Sequence, residues 1–429
     1  MQRVRAASDA LRTSFFFLPA IAVVVGFLGA RFLVGVEVGD WVGTSTVDSA
    51  RAVLSTTAAA TITFASITFS VSLLIMQQGS SQFSPRVIHG LVRDPFNRRV
   101  IAIVVGTFTY CLVSLQRVRG PIDEGGEEVV PDLAVAVGLL LGVVAVLAVV
   151  AAINHTSRKM DVSVILGDIV EQATGNPSSP ATDDELRATT RADRSIPEGE
   201  PVTVVRFDTD GWVRQIDRRG LLGLVDDGCV VRLDIDAGRY AIRSTPLCTI
   251  WPPLDEARVD EVVDSARRCV RLGPTRTMTD DAGYGVRQLV DVALRALSPG
   301  INDPTTAQDA IFHLGTVLVD RLSATPAPMA YHDENDRCLL APHALTDEDL
   351  AELAFAELRG AGAGQPAVAV YLLQTIALVT EAAGANEAGD RVAPFVAQAR
   401  LLLANVDTAD LIDDDRSRVH QTFHTLFGN

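Results

Sequence analysis

Lysine is almost absent from this 429-residue sequence: Lys159 stands against 36 arginines, a bias that indicates genome composition rather than chemistry. Cysteine is scarce as well, and the five cysteines are far apart without a CxxC pair: Cys111, Cys229, Cys248, Cys269 and Cys338. An odd number of scattered cysteines excludes a disulfide framework and a zinc ribbon. It is typical of a protein whose thiols lie in a reducing compartment.

The sequence also lacks the motifs of the common enzyme classes. It has no Walker A lysine, no GxGxxG, no GxSxG and no kinase signature. His420 and His424 are four residues apart, but no HExxH pattern or acidic partner marks them, which favours a solvated helix face over zinc. We therefore predict no catalysis, no cofactor and no metal.

Acidic and basic residues are distributed unevenly. Residues 1–159 hold 13 Lys+Arg and 10 Asp+Glu, and residues 160–429 hold 24 and 43, so the two parts carry +3 and −19. An acidic chain with a pI of about 4.9 is ill suited to binding phosphate backbones. Nucleic acid is therefore not expected as a partner.

Long hydrophobic runs are confined to the first 155 residues and account for the positive mean hydropathy of +0.24. There are four of them: Phe15–Ala30, Ala52–Met76, Val100–Gln116 and Leu133–Ile153. Each has about the 17–25 residues that cross the hydrocarbon core of a bilayer. No clean cleavage site follows the first run, so we predict four retained transmembrane helices and no signal peptide.

The placement of arginine predicts the orientation of these helices. Basic residues cluster before the first run, after the second and after the fourth, whereas the other two connections hold few. By the positive-inside rule, the N-terminus and everything after residue 158 lie in the cytoplasm. The expected location is the bacterial plasma membrane, crossed four times.

The part after the membrane domain combines strands and helices. Alternating apolar residues with a turn signal at 209–211 predict strands at 201–206, 212–216, 230–235 and 247–250, which suit a small β barrel or sandwich. Helical periodicity follows from Leu254 onward. The expected fold is an α-helical membrane protein (four transmembrane helices) with a cytoplasmic α+β region. Its domains are predicted at 1–160 (membrane), 161–200 (helical extension and linker), 201–252 (β) and 253–429 (α-helical).

Span two is rich in hydroxyl side chains. At 100° per residue, four of them fall within about 60° of one another: Thr57, Thr61, Thr68 and Ser72. A second, roughly opposite set consists of Ser55, Thr56, Thr63, Ser66 and Ser70. Two interpretations stay open: a bundle-centre helix packed on both sides, which is favoured, and a helix that lines a water-filled path with the first set.

A second candidate site is the connection between two helices at 298–306. Asp303 is a natural N-cap and Pro304 a natural first helical residue, so a plain elbow explains the segment. The alternative is a small anion held by the free N–H groups of the helix start. In that case the binding residues would be Asn302, Asp303, Thr305 and Thr306.

Four segments of the sequence resemble a bacterial family of predicted membrane proteins defined as a domain of unknown function. They are residues 54–88, 94–113, 210–217 and 285–315, the last of which contains the distinctive LSPGINDPTTA motif. The sequence departs from the family near Ser244, where a glycine is more often found before the threonine. The resemblance implies the four-span topology and supplies no activity.

These observations support two functional hypotheses. The first is an oligomeric channel or pore for small ions or solutes, in which span two (52–76) lines the path and the cytoplasmic domain assembles or gates it. The second is a membrane-anchored sensor or scaffold whose cytoplasmic domain binds a ligand or partner. The lipid bilayer and a second copy of the chain are the partners expected.

Overall fold

The computed structural model describes residues 17–33, 46–82, 95–120, 130–159, 161–175, 186–385 and 389–428. The chain divides into two compact units, Met1–Val164 and Ile165–Asn429. The first is entirely helical in its described elements and the second combines sheets with helices. The predicted fold class is confirmed, except that the strands do not close into a barrel.

The described residues of the first unit form four long helices, one for each apolar run of the sequence: α1 (Phe17–Leu33), α2 (Val47–Gln82), α3 (Pro95–Leu115) and α4 (Asp132–Lys159). The segments Val47–Leu74, Pro95–Leu115 and Asp132–Lys159 are long and apolar enough to cross a membrane. α1 is as apolar but has 17 described residues, about 26 Å at 1.5 Å per residue. It packs along α3 as part of the same bundle.

Close packing of small residues holds this bundle together. A Cβ on Gly138 of α4 would lie 2.8 Å from Cδ2 of Leu54 in α2, so the Leu54 side chain packs directly on the backbone of α4. The hydroxyl of Tyr110 in α3 donates a hydrogen bond of 3.1 Å to the carbonyl of Ala134 in α4. The outward surface is apolar, with Leu140 and Leu147 of α4 more than 60% exposed, as a lipid-facing surface requires.

A further helix, Pro366–Gly384, is also long and apolar enough to cross a membrane. It lies in the second unit, and one of its faces is buried in the core of that unit, with Val368, Leu373 and Val379 fully covered. Apolar composition alone does not separate a spanning helix from the central helix of a bundle. Because its neighbours cover this face, we treat it as a core helix, in agreement with its assignment from the sequence.

Two open sheets form the β part of the second unit in its described residues. A six-stranded sheet has the order β1-β8-β9-β4-β6-β2, and a three-stranded sheet the order β5-β3-β7. The strands are β1 (Arg187–Thr189), β2 (Thr203–Arg206), β3 (Gly211–Ile216), β4 (Val230–Leu233), β5 (Tyr240–Ala241), β6 (Pro246–Trp251), β7 (Val270–Gly273), β8 (Ala330–His332) and β9 (Cys338–Leu340).

Several of these strands were not expected from the sequence. β8 and β9 have three residues each, too few to show a period of two, yet they pair with each other and β9 runs parallel to β4. The helical periodicity predicted from Leu254 onward does not continue through β7: the helix there ends at Arg268, because Val270–Gly273 pairs with β3. Long-range pairing therefore determines these strands, which local propensity does not reveal.

Ten helices complete the described elements of the chain's second half, the first of which begins at the division between the units. They are α5 (Val162–Gly175), α6 (Arg218–Leu222), α7 (Glu256–Arg268), α8 (Ala282–Leu297), α9 (Pro304–Ser323), α10 (Asp347–Gly362), α11 (Pro366–Ala385), a 3₁₀ turn (Gly389–Arg391), α12 (Ala393–Thr408) and α13 (Asp413–Phe427). Phe355 of α10 and Phe395 of α12 are fully buried and meet edge to face, with ring centroids 6.4 Å apart. α11 packs between α9 and α13.

Candidate functional site

The first hydroxyl set of α2 faces the interior of its own chain. Thr61 and Thr68 are 1% and 7% exposed. A Cβ on Gly142 of α4 would lie 2.7 Å from Cγ2 of Thr57, so this part of the set packs directly on α4. Ser72 is half-buried on the same side. Within one chain, the four residues lie between helices rather than on a surface.

Three of the four hydroxyl groups of this inward set, those of Thr61, Thr68 and Ser72, donate hydrogen bonds within their own helix. Thr61 donates to the carbonyl of Thr57 at 2.9 Å, Thr68 to that of Phe64 at 2.8 Å, and Ser72 to that of Thr68 at 2.8 Å. Such bonds to the carbonyl four residues earlier allow a hydroxyl to be buried without another partner. The inward set therefore has the geometry expected for close helix packing.

The second hydroxyl set lies on the opposite, outward face of α2. All five residues are exposed: Ser55, Thr56, Thr63, Ser66 and Ser70. Ser55 donates to the carbonyl of Ala52 and Thr63 to that of Ala59. The side-chain hydroxyls of Thr56, Ser66 and Ser70 form no hydrogen bond to another described residue. The outward face thus carries polar groups that packing within one chain does not use.

A polar segment, Gln77–Ser84, follows span two, and most of its side chains are outside the described residues. Gln77 is the exception, and it is exposed on the helix.

The connection before α9 has the geometry of a capped elbow. Asn302 adopts a left-handed conformation with φ 49°, and the N–H of Asp303 donates to the carbonyl of Ala296 at 2.8 Å. The carboxylate of Asp303 accepts from the N–H of Thr306 at 3.1 Å and from its hydroxyl at 2.6 Å. These bonds lower the pKa of Asp303, so the carboxylate is charged at neutral pH.

The structure therefore brings Asn302, Asp303, Thr305 and Thr306 together. The negative charge at their centre is the carboxylate of Asp303 itself. The Asp303 carboxylate lies where a bound anion would interact with the first N–H groups of α9. A second negative charge at the same place would be repelled. The geometry favours the plain elbow.

His420 and His424 do not form a metal pair in the structure. Nε2 of His420 lies 2.7 Å from Oδ1 of Asp407, which joins α13 to the end of α12. The ring of His424 contacts Phe423.

Comparison with known proteins identifies the family of this membrane protein. A family model described as "Predicted membrane protein (DUF2254)" matches residues 12–378, which include α1 to α4 and both sheets. The chain belongs to the DUF2254 family. The resemblance inferred from residues 54–88, 94–113, 210–217 and 285–315 is confirmed.

Relatives of this DUF2254 protein occur in mycobacteria. It is 28% identical over 398 residues to the uncharacterized protein Rv1290c of Mycobacterium tuberculosis and, equally, to the uncharacterized protein Mb1321c of Mycobacterium bovis. These alignments cover 89% of this chain and 74% of each relative. No solved structure matches the chain significantly. Family and fold together make it a multi-pass membrane protein of the DUF2254 family.

Proposed function

We propose that this protein forms an oligomeric membrane pore for small ions or solutes, and that the outward face of α2 lines the path. The observation that carries the proposal is the exposed hydroxyl set Ser55, Thr56, Thr63, Ser66 and Ser70 on a helix long and apolar enough to span the bilayer. The inward set first considered for this role is packed against α4.

Exposed hydroxyls on a spanning helix need water or another polar group. The side-chain hydroxyls of Thr56, Ser66 and Ser70 form no hydrogen bond within the described part of the chain. In hydrocarbon an unsatisfied hydroxyl costs several kcal/mol. A single chain leaves them on its outer surface. Assembly of several copies around an axis would place them against water instead of lipid.

The residues beside the hydroxyl set suit such an assembly. Ala52 and Ala59 lie on the same outward face, where small side chains allow helices to approach closely. Ile62 and Phe69 are exposed to one side of the set, and Ile67 to the other. A neighbouring copy that covers these apolar flanks leaves the hydroxyls facing the axis.

The proposal includes the orientation inferred from the arginines. The N-terminus and the second unit then lie in the cytoplasm of a bacterial cell, where the second unit assembles or gates the path. We assign it no catalytic reaction and no nucleic-acid partner.

The experiment that tests the pore is conductance of the purified protein in planar bilayers, combined with thiol labelling. In a variant without native cysteines, Thr63→Cys, Ser66→Cys and Ser70→Cys should react with a water-soluble thiol reagent, and the reaction should reduce the conductance. Thr61→Cys and Thr68→Cys should be protected because these positions are buried.

Leu140→Cys and Leu147→Cys are matched controls for exposure. Both positions are exposed in the single chain, as the outward set is, but they lie among apolar residues of α4. They should face lipid and resist the reagent. Absence of conductance at all voltages, tensions and salt concentrations, or equal labelling of Ser66→Cys and Leu140→Cys, would reject a pore lined by α2.

The second candidate function is a membrane-anchored sensor or scaffold, and the size and separate hydrophobic core of the second unit favour it. Ile165–Asn429 is the larger unit, and it has its own core, centred in the sheets on Val205, Ile216 and Leu247. An electrically silent protein whose second unit still binds a ligand would support this alternative.

A further inference from the structure

We propose that Asp193, His332 and Cys338 form a binding site for a divalent zinc-like cation in the second unit. Oxygen, nitrogen and sulfur atoms of these side chains lie within 4.8 Å of one another. The proposal is independent of the pore, because it concerns the edge of the six-stranded sheet. It differs from the expectation drawn from the sequence, in which no metal ligand was recognised.

The sheet brings the three residues together from distant parts of the chain. His332 ends β8 and Cys338 begins β9, and they are direct partners across this antiparallel pair. Directly opposite side chains on one face of a sheet have Cβ atoms only about 5 Å apart. β1 pairs with the other side of β8, with Arg187 opposite His332, and Asp193 follows shortly after β1.

The hairpin that carries two of the ligands is rigid. The carboxylate of Asp333 accepts hydrogen bonds from the backbone N–H groups of Asn335 and Arg337, at 3.0 and 3.1 Å, and from Nε of Arg337 at 2.6 Å. Arg337 also donates to the carbonyl of Val225. This turn fixes the register of His332 opposite Cys338, as a preorganised ligand pair requires.

His332 supplies an independent sign of a ligand. Its side chain is 9% exposed, and Nε2 lies 2.9 Å from Oδ1 of Asp193. The contact does not have the angles of a hydrogen bond, and this buried nitrogen has no other hydrogen-bond partner in the described residues. A buried ring nitrogen beside a carboxylate and a thiol is satisfied by a cation that all three coordinate.

The kinds of ligand atom indicate the class of metal. Sulfur and imidazole nitrogen favour zinc and similar transition ions over magnesium or calcium, which prefer oxygen. A tetrahedral zinc ion with bonds of about 2.0–2.3 Å separates its ligand atoms by roughly 3.3–3.8 Å, a separation that a cluster of this size accommodates. Three protein ligands leave a fourth position for water.

The three side chains of the site differ in their exposure to solvent. The side chain of Asp193 is 48% exposed, whereas Cys338 is fully buried among Val230, Ala330 and Leu340. A cation bound at this site would replace the proton of the Cys338 thiol, so binding should release a proton. A Cys–His–Asp hydrolase uses the same residue types, but its thiol must be accessible to substrate. The sulfur of Cys338 is fully buried.

The test uses Co²⁺ and Zn²⁺ with the full-length, untagged, reduced protein in detergent. One equivalent of Co²⁺ should bind and give the thiolate-to-cobalt charge-transfer absorption and the intense visible bands of a tetrahedral site, and Zn²⁺ should abolish both. Cys338→Ser should remove the charge-transfer absorption. Cys269→Ser, at a half-buried cysteine outside the cluster, should retain it.

Asp193→Asn is a second variant that tests the site even if substitution of the buried Cys338 prevents folding. Asp193 is at the surface, so this variant should fold, and its affinity for Zn²⁺ should fall by about tenfold or more. Zn²⁺ should raise the Tm of the wild type more than that of the variant. No stoichiometric binding, or equal spectra for Cys338→Ser and Cys269→Ser, would overturn the site, and so would an unchanged affinity in Asp193→Asn.

Discussion

Gly26 of α1 and Gly106 of α3 approach each other so closely that a Cβ on Gly26 would lie 2.5 Å from the carbonyl oxygen of Gly106. No side chain other than hydrogen fits there without movement of the backbone. This contact packs α1 on α3 in the membrane unit. Close approach of glycines is a common way for membrane helices to associate.

Gly26→Ala should therefore destabilise the protein in detergent by about 1–3 kcal/mol, as overpacking does elsewhere. Gly29→Ala is the matched control on the same helix, because a Cβ there meets nothing within 4 Å. It should be neutral or slightly stabilising. Thermal unfolding of both variants measures the difference, and equal Tm values would contradict the packing of α1 on α3.

The topology can be tested with reporter fusions. A reporter after residue 125 should be outside the cell, whereas reporters after residue 90 and at Asn429 should be inside. Fusions at Gly364 and Gly389, on either side of α11, should both be inside, because α11 is a core helix of the second unit. Opposite locations for these two would show that α11 spans the membrane, and an external C-terminus would overturn the cytoplasmic assignment.

Arg276 and Asp281 form a buried ion pair at the start of α8. The guanidinium bonds Oδ2 of Asp281 at 2.7 and 2.9 Å and lies over the ring of Tyr284, and Asp281 is 7% exposed. Arg276→Met leaves this carboxylate buried without its cation. We expect a loss of about 3 kcal/mol, the low end for a broken buried pair because Arg276 itself is partly exposed.

The pH dependence of this loss has a definite sign. Burial already raises the pKa of Asp281, and Arg276 opposes that effect, so Arg276→Met raises the pKa further. A carboxyl whose folded pKa is raised stabilises the fold increasingly as pH falls through that pKa towards the ordinary value. The difference in unfolding free energy between the wild type and Arg276→Met should thus become smaller as the pH is lowered from 7 to about 4. Urea unfolding at several pH values measures it, with Arg418→Met at an exposed pair as a control expected to change stability by less than about 1 kcal/mol.

Ser244 has a backbone conformation that favours glycine. Its φ is 70°, in the left-handed region that side chains other than hydrogen disfavour. Its N–H donates to the carbonyl of Phe207, which fixes the turn. Ser244→Gly should stabilise the protein by about 0.5–1 kcal/mol, because it removes the steric cost of a left-handed residue.

Ser265→Gly is the control for Ser244→Gly, because the same substitution should here lower the stability. Ser265 lies within α7, where glycine should destabilise by about 0.5–1 kcal/mol. Chemical unfolding of the two variants should give changes of opposite sign. A destabilised Ser244→Gly would show that the serine side chain contributes to the turn.

The sequence by itself determined the four apolar helices and most of the strands between 203 and 251. Membrane helices are encoded locally, because the thickness of the bilayer sets the length of an apolar run. The strands at β2, β3, β4 and β6 show alternation over four to six residues, and Asp303 with Pro304 marks the start of α9 through capping chemistry that involves only neighbours.

Only the tertiary structure decided which face of α2 is outward and which residues meet at the sheet edge. Two opposite hydroxyl sets look alike in a helical projection, and the packing of Thr57 on Gly142 distinguishes them. Likewise, Asp193 lies 139 positions from His332, and β8 and β9 are too short to be recognised, so pairing across the chain brings His332 and Cys338 together. Such contacts depend on the energy of the whole packed unit, which no local pattern carries.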